Sequence, residues 1–230
     1  SRTLARPQLR ELAPFGFADY AGGYLVLGNP DLELTRITNL DVRFEWFRSA
    51  QSVFAISTFF KDFEAPIEDA VLPGTELKKT WVNANGGTNL GLELELRSPL
   101  DVLSEPLRDV SLNANLTLVR SEMRSGGTVD IYFEGSGSTQ LALEPRDRSL
   151  QGQSPYVVNL GLTWAPSGGA SATVLFNRFG RRIDAIGALA LPDVYESARS
   201  QLDAVVEWPL LNGWKAKLSA SRLLGSVIEF

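Results

Sequence analysis

The sequence predicts an all-β fold, an antiparallel up-and-down transmembrane β-barrel, and three observations carry that prediction. Period-2 alternation of apolar and polar residues recurs along the chain, while 3.6-residue periodicity is hard to find. Connections alternate between short turns and long polar loops, so consecutive antiparallel strands put all the short turns at one end, as outer-membrane barrels do. Four of the five tryptophans, Trp46, Trp164, Trp208 and Trp214, sit within a residue or two of a short turn and on the greasy parity of their strands. In a barrel they form one aromatic belt at one membrane interface.

Eight strands are expected. Residues 36–47 set Leu40, Val42, Phe44 and Trp46 against Asn39, Asp41, Arg43 and Glu45, behind a turn at Asn29-Pro30-Asp31 that ends an extracellular loop and sets register. Residues 52–62 carry Phe54, Ile56, Thr58 and Phe60 on one parity. Residues 80–97 end with Leu90, Leu92, Leu94 and Leu96 against Gly91, Glu93, Glu95 and Arg97. Residues 109–121 set Val110, Leu112, Ala114 and Leu116 against Ser111, Asn113, Asn115 and Thr117. The remaining strands are 155–165, 170–179, 199–208 and 213–224, and residues 2–12 read as the end of an earlier one. Runs of this length suit the roughly 9–11 residues that a tilted strand needs to cross a bilayer. Phe60, Tyr156, Phe176 and Phe179 mark a looser belt at the opposite strand ends. The segments 62–79, 122–154 and 180–198 are expected to be long loops.

A soluble sandwich or lectin-like barrel is the competing fold, with the greasy face as its core. The strands exceed the usual soluble length of about 5–6 residues. The polar parity is rich in Asn, Ser, Thr and Gly, as a watery lumen requires, and a soluble core gives tryptophans no reason to cluster by turn type.

Composition narrows the chemistry. The 230 residues are 44% hydrophobic and 21% charged, which disfavours disorder. A net charge of −5 argues against a nucleic-acid partner, because phosphate binding needs a basic surface. With no Cys and no His, thiol nucleophiles, disulfides, an imidazole base and zinc sites of the usual kind are excluded. No run approaches the 18 or more apolar residues of a transmembrane helix. No signal peptide is visible, and a chain beginning at Ser1 reads as a processed chain or a fragment.

No residue is expected to be catalytic, and no cofactor is implied. Glu93 and Glu95 lie on one strand within a regular pattern, unlike the paired acids of glycoside hydrolysis. The lumen-facing candidates are Asn39, Asp41, Arg43, Glu45, Glu93, Glu95 and Arg97, either contacting ligand or plug or bracing the wall as cross-strand ion pairs. Asp62, Glu64, Glu68 and Asp69 admit a calcium site, but their spacing matches no EF-hand loop and a solvated loop is the expectation. Gly86-Gly87 and Gly126-Gly127 read as strand flexibility and loop, since no helix follows. Arg181-Arg182 reads as a pair that meets lipopolysaccharide anions or as an ordinary solvated loop charge.

Six segments in order, SRTLARPQLRELAPF, GNPDLELTRITNLDVRFEWF, FFKDFEAPIE, NANGGTNLGLELELR, LQGQSPYVVNLGLTW and LPDVYESARSQLD, resemble TonB-dependent outer-membrane receptors. The resemblance covers nearly the whole chain and falls on the C-terminal half of the family's barrel. It implies a bacterial outer-membrane location, import of a scarce ligand (siderophore, cobalamin, carbohydrate or peptide), and as partners lipid, lipopolysaccharide, the remaining strands, a plug domain and, through the plug, TonB. The family barrel has about 22 strands; this chain supplies eight and a partial one, and no plug segment. Ser221–Phe230 is expected to be the penultimate strand entering an extracellular loop; the alternative makes Phe230 a C-terminal aromatic assembly signal. A plugless scaffold or a small closed barrel of about eight to ten strands is the alternative function.

Overall fold

The structure is a computed structural model that describes residues 1–18, 23–74, 78–124, 127–133, 137–143, 147–188 and 191–229. Gly126 and Phe230 lie outside the described residues. In chain order the strands are β1 Arg2–Ala5, β2 Gly16–Ala18, β3 Leu25–Leu27, β4 Thr35–Ser49, β5 Ser52–Glu64, β6 Ile67–Leu72, β7 Lys78–Asn83, β8 Gly87–Pro99 and β9 Val110–Arg124. They continue as β10 Gly127–Phe133, β11 Gly137–Leu143, β12 Asp147–Arg148, β13 Tyr156–Trp164, β14 Ser171–Phe179, β15 Arg182–Gly187, β16 Val194–Glu196, β17 Arg199–Pro209 and β18 Lys215–Ala220.

The long strands form one antiparallel meander in the order β1-β4-β5-β8-β9-β13-β14-β17-β18, with β12 laid against β9. Register follows the alternation. Trp46 faces Phe54, Phe54 faces Leu96, Leu96 faces Ala114, Ala114 faces Leu160, and the row runs on through Phe176 to Leu202. One face is therefore apolar from strand to strand, and it is uncovered: Leu40 is 65% exposed, Phe44 61% and Trp46 58%. An apolar face of this extent is stable only against an apolar surround.

The core lies elsewhere. The connections expected to be loops fold into a second sheet, ordered β16-β15-β6-β7-β3-β2, whose parallel pairs join β15 to β6 and β3 to β7. Its buried cluster comprises Leu27, Ala70, Leu72, Val82, Ile183, Ile186 and Ala188. The β1–β4, β5–β8, β9–β13 and β14–β17 connections all leave the meander at one end, and three of the four supply this cap. Segment 122–154, expected to be a loop, contributes instead the end of β9, the hairpin β10–β11 and β12.

Three strand boundaries differ from expectation. The run 80–97 divides: β7 belongs to the cap and β8 to the meander. Gly86, at φ +129°, makes the break, and a Cβ there would sit 2.7 Å from the Phe63 carbonyl oxygen. Residues 2–12 give β1 and then a short helix, α1 Leu9–Leu12, whose entry is held by the Gln8 amide donating to Glu11 Oε2 at 2.9 Å. The last strand ends at Ala220 because Arg222 takes φ +57° and interrupts the ladder. The tail nevertheless follows β17 irregularly, with Leu223 N–H donating to Leu202 O at 2.9 Å and Ser226 Oγ to Ser200 O at 2.6 Å.

Candidate functional site

The polar face of the meander carries a charge ladder. Arg43 on β4 donates from Nε to Glu45 Oε1 at 2.6 Å, from Nη1 to Ser57 Oγ at 3.1 Å and from Nη2 to Glu95 Oε2 at 2.7 Å. Glu95 lies two strands away, roughly 10 Å at ordinary strand spacing. The span is open because β5 places the small residues Ala55 and Ser57 beneath the arginine. Arg97 Nη2 closes on Glu95 Oε1 at 2.6 Å. Signs therefore alternate along Glu45, Arg43, Glu95 and Arg97, and each charge-assisted hydrogen bond strengthens the next.

The other expected residues stand around it. Asn39 donates to Thr3 Oγ1 at 3.1 Å and so ties β4 to β1. Asp41 faces Phe59 across β5, Glu93 faces Ser57, and neither acid makes an ion pair among the described residues. Beside Arg97 the face holds a row of amides. Asn177 Nδ2 donates to Asn159 Oδ1 at 2.7 Å, and Thr117 Oγ1 reaches Asn115 Oδ1 at 3.4 Å. Asn115, Asn159 and Asn177 line, with Asn113, Gln201 and Asp203, a concavity of about 560 Å³. The amides fall on polar parity at Asn113, Asn115, Asn159 and Asn177, a signal visible strand by strand but not singled out as a site.

The four expected belt tryptophans lie at one end of the meander on its apolar face. Trp46, Trp164 and Trp208 stand on β4, β13 and β17, and Trp214 immediately precedes β18. Trp81 stands apart on β7 in the cap, where its ring lies 6.1 Å from Phe17, with the Arg10 guanidinium 4.6 Å from the Phe17 ring.

An ion pair that joins the cap to the meander was not legible in the sequence. Glu68 and Arg148 form a bidentate pair, Nη1–Oε1 2.8 Å and Nη2–Oε2 2.5 Å, with side chains only 0% and 5% exposed. The Gln151 amide adds a hydrogen bond to Glu68 Oε1 at 3.0 Å. Burial opposes the Arg148 charge, but the Glu68 hydrogen bonds and charge outweigh it and hold the guanidinium above its ordinary value. The partners are 80 residues apart, so no local spacing marks them.

The acids expected in a solvated loop are thus divided. Asp62 and Glu64 sit on β5 and approach Arg124 and Arg36, each at 3.9 Å. Glu68 is buried, and burial pushes the Asp69 carboxyl up despite the pull of Lys79. The Arg181-Arg182 pair divides: Arg181 is exposed just before β15, as a solvated loop charge is, and Arg182 is half-buried at the start of β15. Arg181 covers the Tyr195 ring at 4.3 Å, and Arg182 Nε donates to Glu196 Oε2 at 2.7 Å. Asn29 is buried and forms the expected turn, accepting from the Asp31 amide at 3.0 Å and donating to Trp81 O at 2.9 Å.

Known proteins share this fold. The barrel model described as TonB dependent receptor-like, beta-barrel matches residues 1–221. The iron-regulated outer membrane virulence protein of Vibrio cholerae, in both its classical and El Tor forms, is 22% identical over 97% of this chain. A ferric enterobactin receptor of Pseudomonas aeruginosa superimposes with a TM-score of 0.57 at 15% identity over 97% of the chain, and the siderophore receptor PirA of the same organism with 0.58 at 17% over 98%. The chain spans 32% of the Vibrio proteins' length, 31% of the enterobactin receptor and 35% of PirA. The family's barrel model covers residues 1–221 and the fold agrees over nearly the whole chain: this chain belongs to the TonB-dependent receptors, a family of β-barrel receptors and transporters, rather than enzymes, in the bacterial outer membrane.

Proposed function

We propose that the chain forms part of the C-terminal wall of a receptor that imports a ferric siderophore, with a plug domain elsewhere in the assembly coupling the barrel to TonB. The observation that carries this reading is the two-faced meander: an uncovered apolar row on one side, and on the other the Glu45–Arg43–Glu95–Arg97 ladder with its amide concavity. In this reading the apolar face meets lipid, and the polar face meets the watery lumen and the plug. The short-turn end with its tryptophans is periplasmic, and the second sheet is the extracellular cap. Asn39, Asp41, Arg43, Glu45, Glu93, Glu95 and Arg97 then line the lumen. Relatives described by iron or siderophore favour that ligand class over cobalamin or carbohydrate.

Uptake decides it. Deleting the full-length gene is expected to abolish accumulation of radiolabelled ferric enterobactin in iron-starved cells while leaving cobalamin uptake intact, and restoring the gene is expected to return it. Unchanged iron uptake together with lost cobalamin uptake refutes the siderophore assignment.

A further inference from the structure

An apolar groove of about 430 Å³ opens at the short-turn end of the meander. Its wall is the apolar face, through Trp46, Phe54 and Leu96. Its other side is the β8–β9 connection, where a short 3₁₀ turn, Leu100–Val102, places Leu100, Val102 and Leu103 against the wall. Leu103 is 73% exposed, so this turn is apolar without being packed. Ser52 also lines the groove; it is buried, and its hydroxyl pairs with Ser98 Oγ at 3.4 Å.

Two arginines line the groove, and one of them, Arg97, is paired with Glu95 at 2.6 Å. The other, Arg48, is exposed and has no ion pair among the described residues. It sits in a bulge, where pairing slips between Phe47 and Ser49. It lies two residues beyond Trp46, roughly 7 Å nearer the aqueous end. Tryptophan rings settle at head-group depth, so a guanidinium just past them stands at the level of phosphates.

Resting on the membrane reading above, we propose that this groove binds one phospholipid of the periplasmic leaflet. An acyl chain lies between the Trp46–Phe54–Leu96 wall and the Leu100–Leu103 turn, and the phosphate accepts hydrogen bonds from Arg48. The occupant follows from charge complementarity and depth. Of the two arginines lining the apolar trough, Arg48, at its head-group end, is the one without an ion pair among the described residues, and this gives the trough the polarity of a phospholipid.

The test uses the full-length receptor in nanodiscs of phosphatidylethanolamine and phosphatidylglycerol, released for native mass spectrometry. The parent protein is expected to retain one phospholipid after annular lipid has been stripped. Arg48→Glu is expected to lower that occupancy about tenfold, the loss of one charge-assisted contact. Arg48→Lys is expected to keep most of it, and Leu103→Glu to lower it without touching the cation. Arg36→Ala, at the cap end, is the control and should retain the lipid. Equal retention by the parent, Arg48→Glu and Leu103→Glu overturns the groove, as does an adduct that is detergent alone. Failure of the parent to enter nanodiscs overturns the membrane reading as well, whereas normal insertion without a retained lipid overturns only the groove.

Discussion

Arg148 carries a full charge where almost no water reaches it, and its carboxylate partner is as deeply buried. Removing one member leaves an uncompensated buried charge. Arg148→Ala is therefore expected to cost about 3–5 kcal/mol, while Glu68→Leu with Arg148→Met costs far less because both charges leave together. Thermal unfolding of the full-length receptor compares them; equal losses would sink the argument. The ladder at Arg43 is open to solvent, so Arg43→Ala is expected to lower stability much less than Arg148→Ala in the same melts. Asp69 gives a pH dependence. Burial raises its folded pKa above the unfolded value, so the folded state holds the proton more tightly. Its contribution to stability is then fullest below the ordinary carboxylate range and is lost as pH rises through the folded pKa. Asp69→Asn should raise the melting midpoint at about pH 7 and lose that advantage at about pH 4. A larger gain at the acid end contradicts the assignment.

Elements here are shaped by what each face meets. On β13, Leu160 belongs to the apolar row and its neighbour Asn159 to the amide row. Leu160→Arg is expected to cost about 2–4 kcal/mol in a bilayer, and Asn159→Arg close to nothing by comparison. Urea unfolding in lipid vesicles reads the difference, and similar costs would mean that the faces are misassigned. Besides its buried side chains, the cap depends on close backbone approach at Gly28. A Cβ on Gly28 would lie 1.9 Å from the Ala13 carbonyl oxygen, so the strand entering the Asn29 turn has no room for one. Gly28→Ala is expected to destabilise the cap by about 1–3 kcal/mol. Limited proteolysis between residues 13 and 28 should accelerate while the meander strands stay protected.

At the scale of the whole molecule the meander is an open sheet. Its described edges are β1 and β18, and their outer backbone groups have no neighbouring strand in it. In hydrocarbon each such group costs several kcal/mol. The sheet therefore needs further strands or closure on itself, in keeping with a chain that spans about a third of its relatives. Expressed alone, this segment is expected to aggregate. A monodisperse, detergent-soluble monomer after refolding would contradict that. The hydrophobic core agrees: it lies in the cap, and the apolar face of the meander is left uncovered among the described residues.

How much of this was legible in the sequence differs by part. Leu40, Val42, Phe44 and Trp46 against Asp41, Arg43 and Glu45 announced a wall between two media, and β4, β5, β9, β13, β14 and β17 lie where their alternation put them. That signal is local, because each successive residue points to the opposite solvent and records it. The candidate ladder residues were visible for the same reason, though only the fold showed that Arg43 reaches across β5 to Glu95 as well as to Glu45 on its own strand. The cap was not legible. Its strands run three to six residues, too short to display a period, and its parallel pair β6–β15 joins Ala70 to Ile186. Glu68 looked like a solvated loop acid because its partner Arg148 is 80 residues away. The sequence by itself determined the two-faced barrel wall, since facing lipid or water is a property of each residue in turn. Only the tertiary structure decided the cap and its buried ion pair, since these exist through chain closures between distant segments that no local pattern encodes.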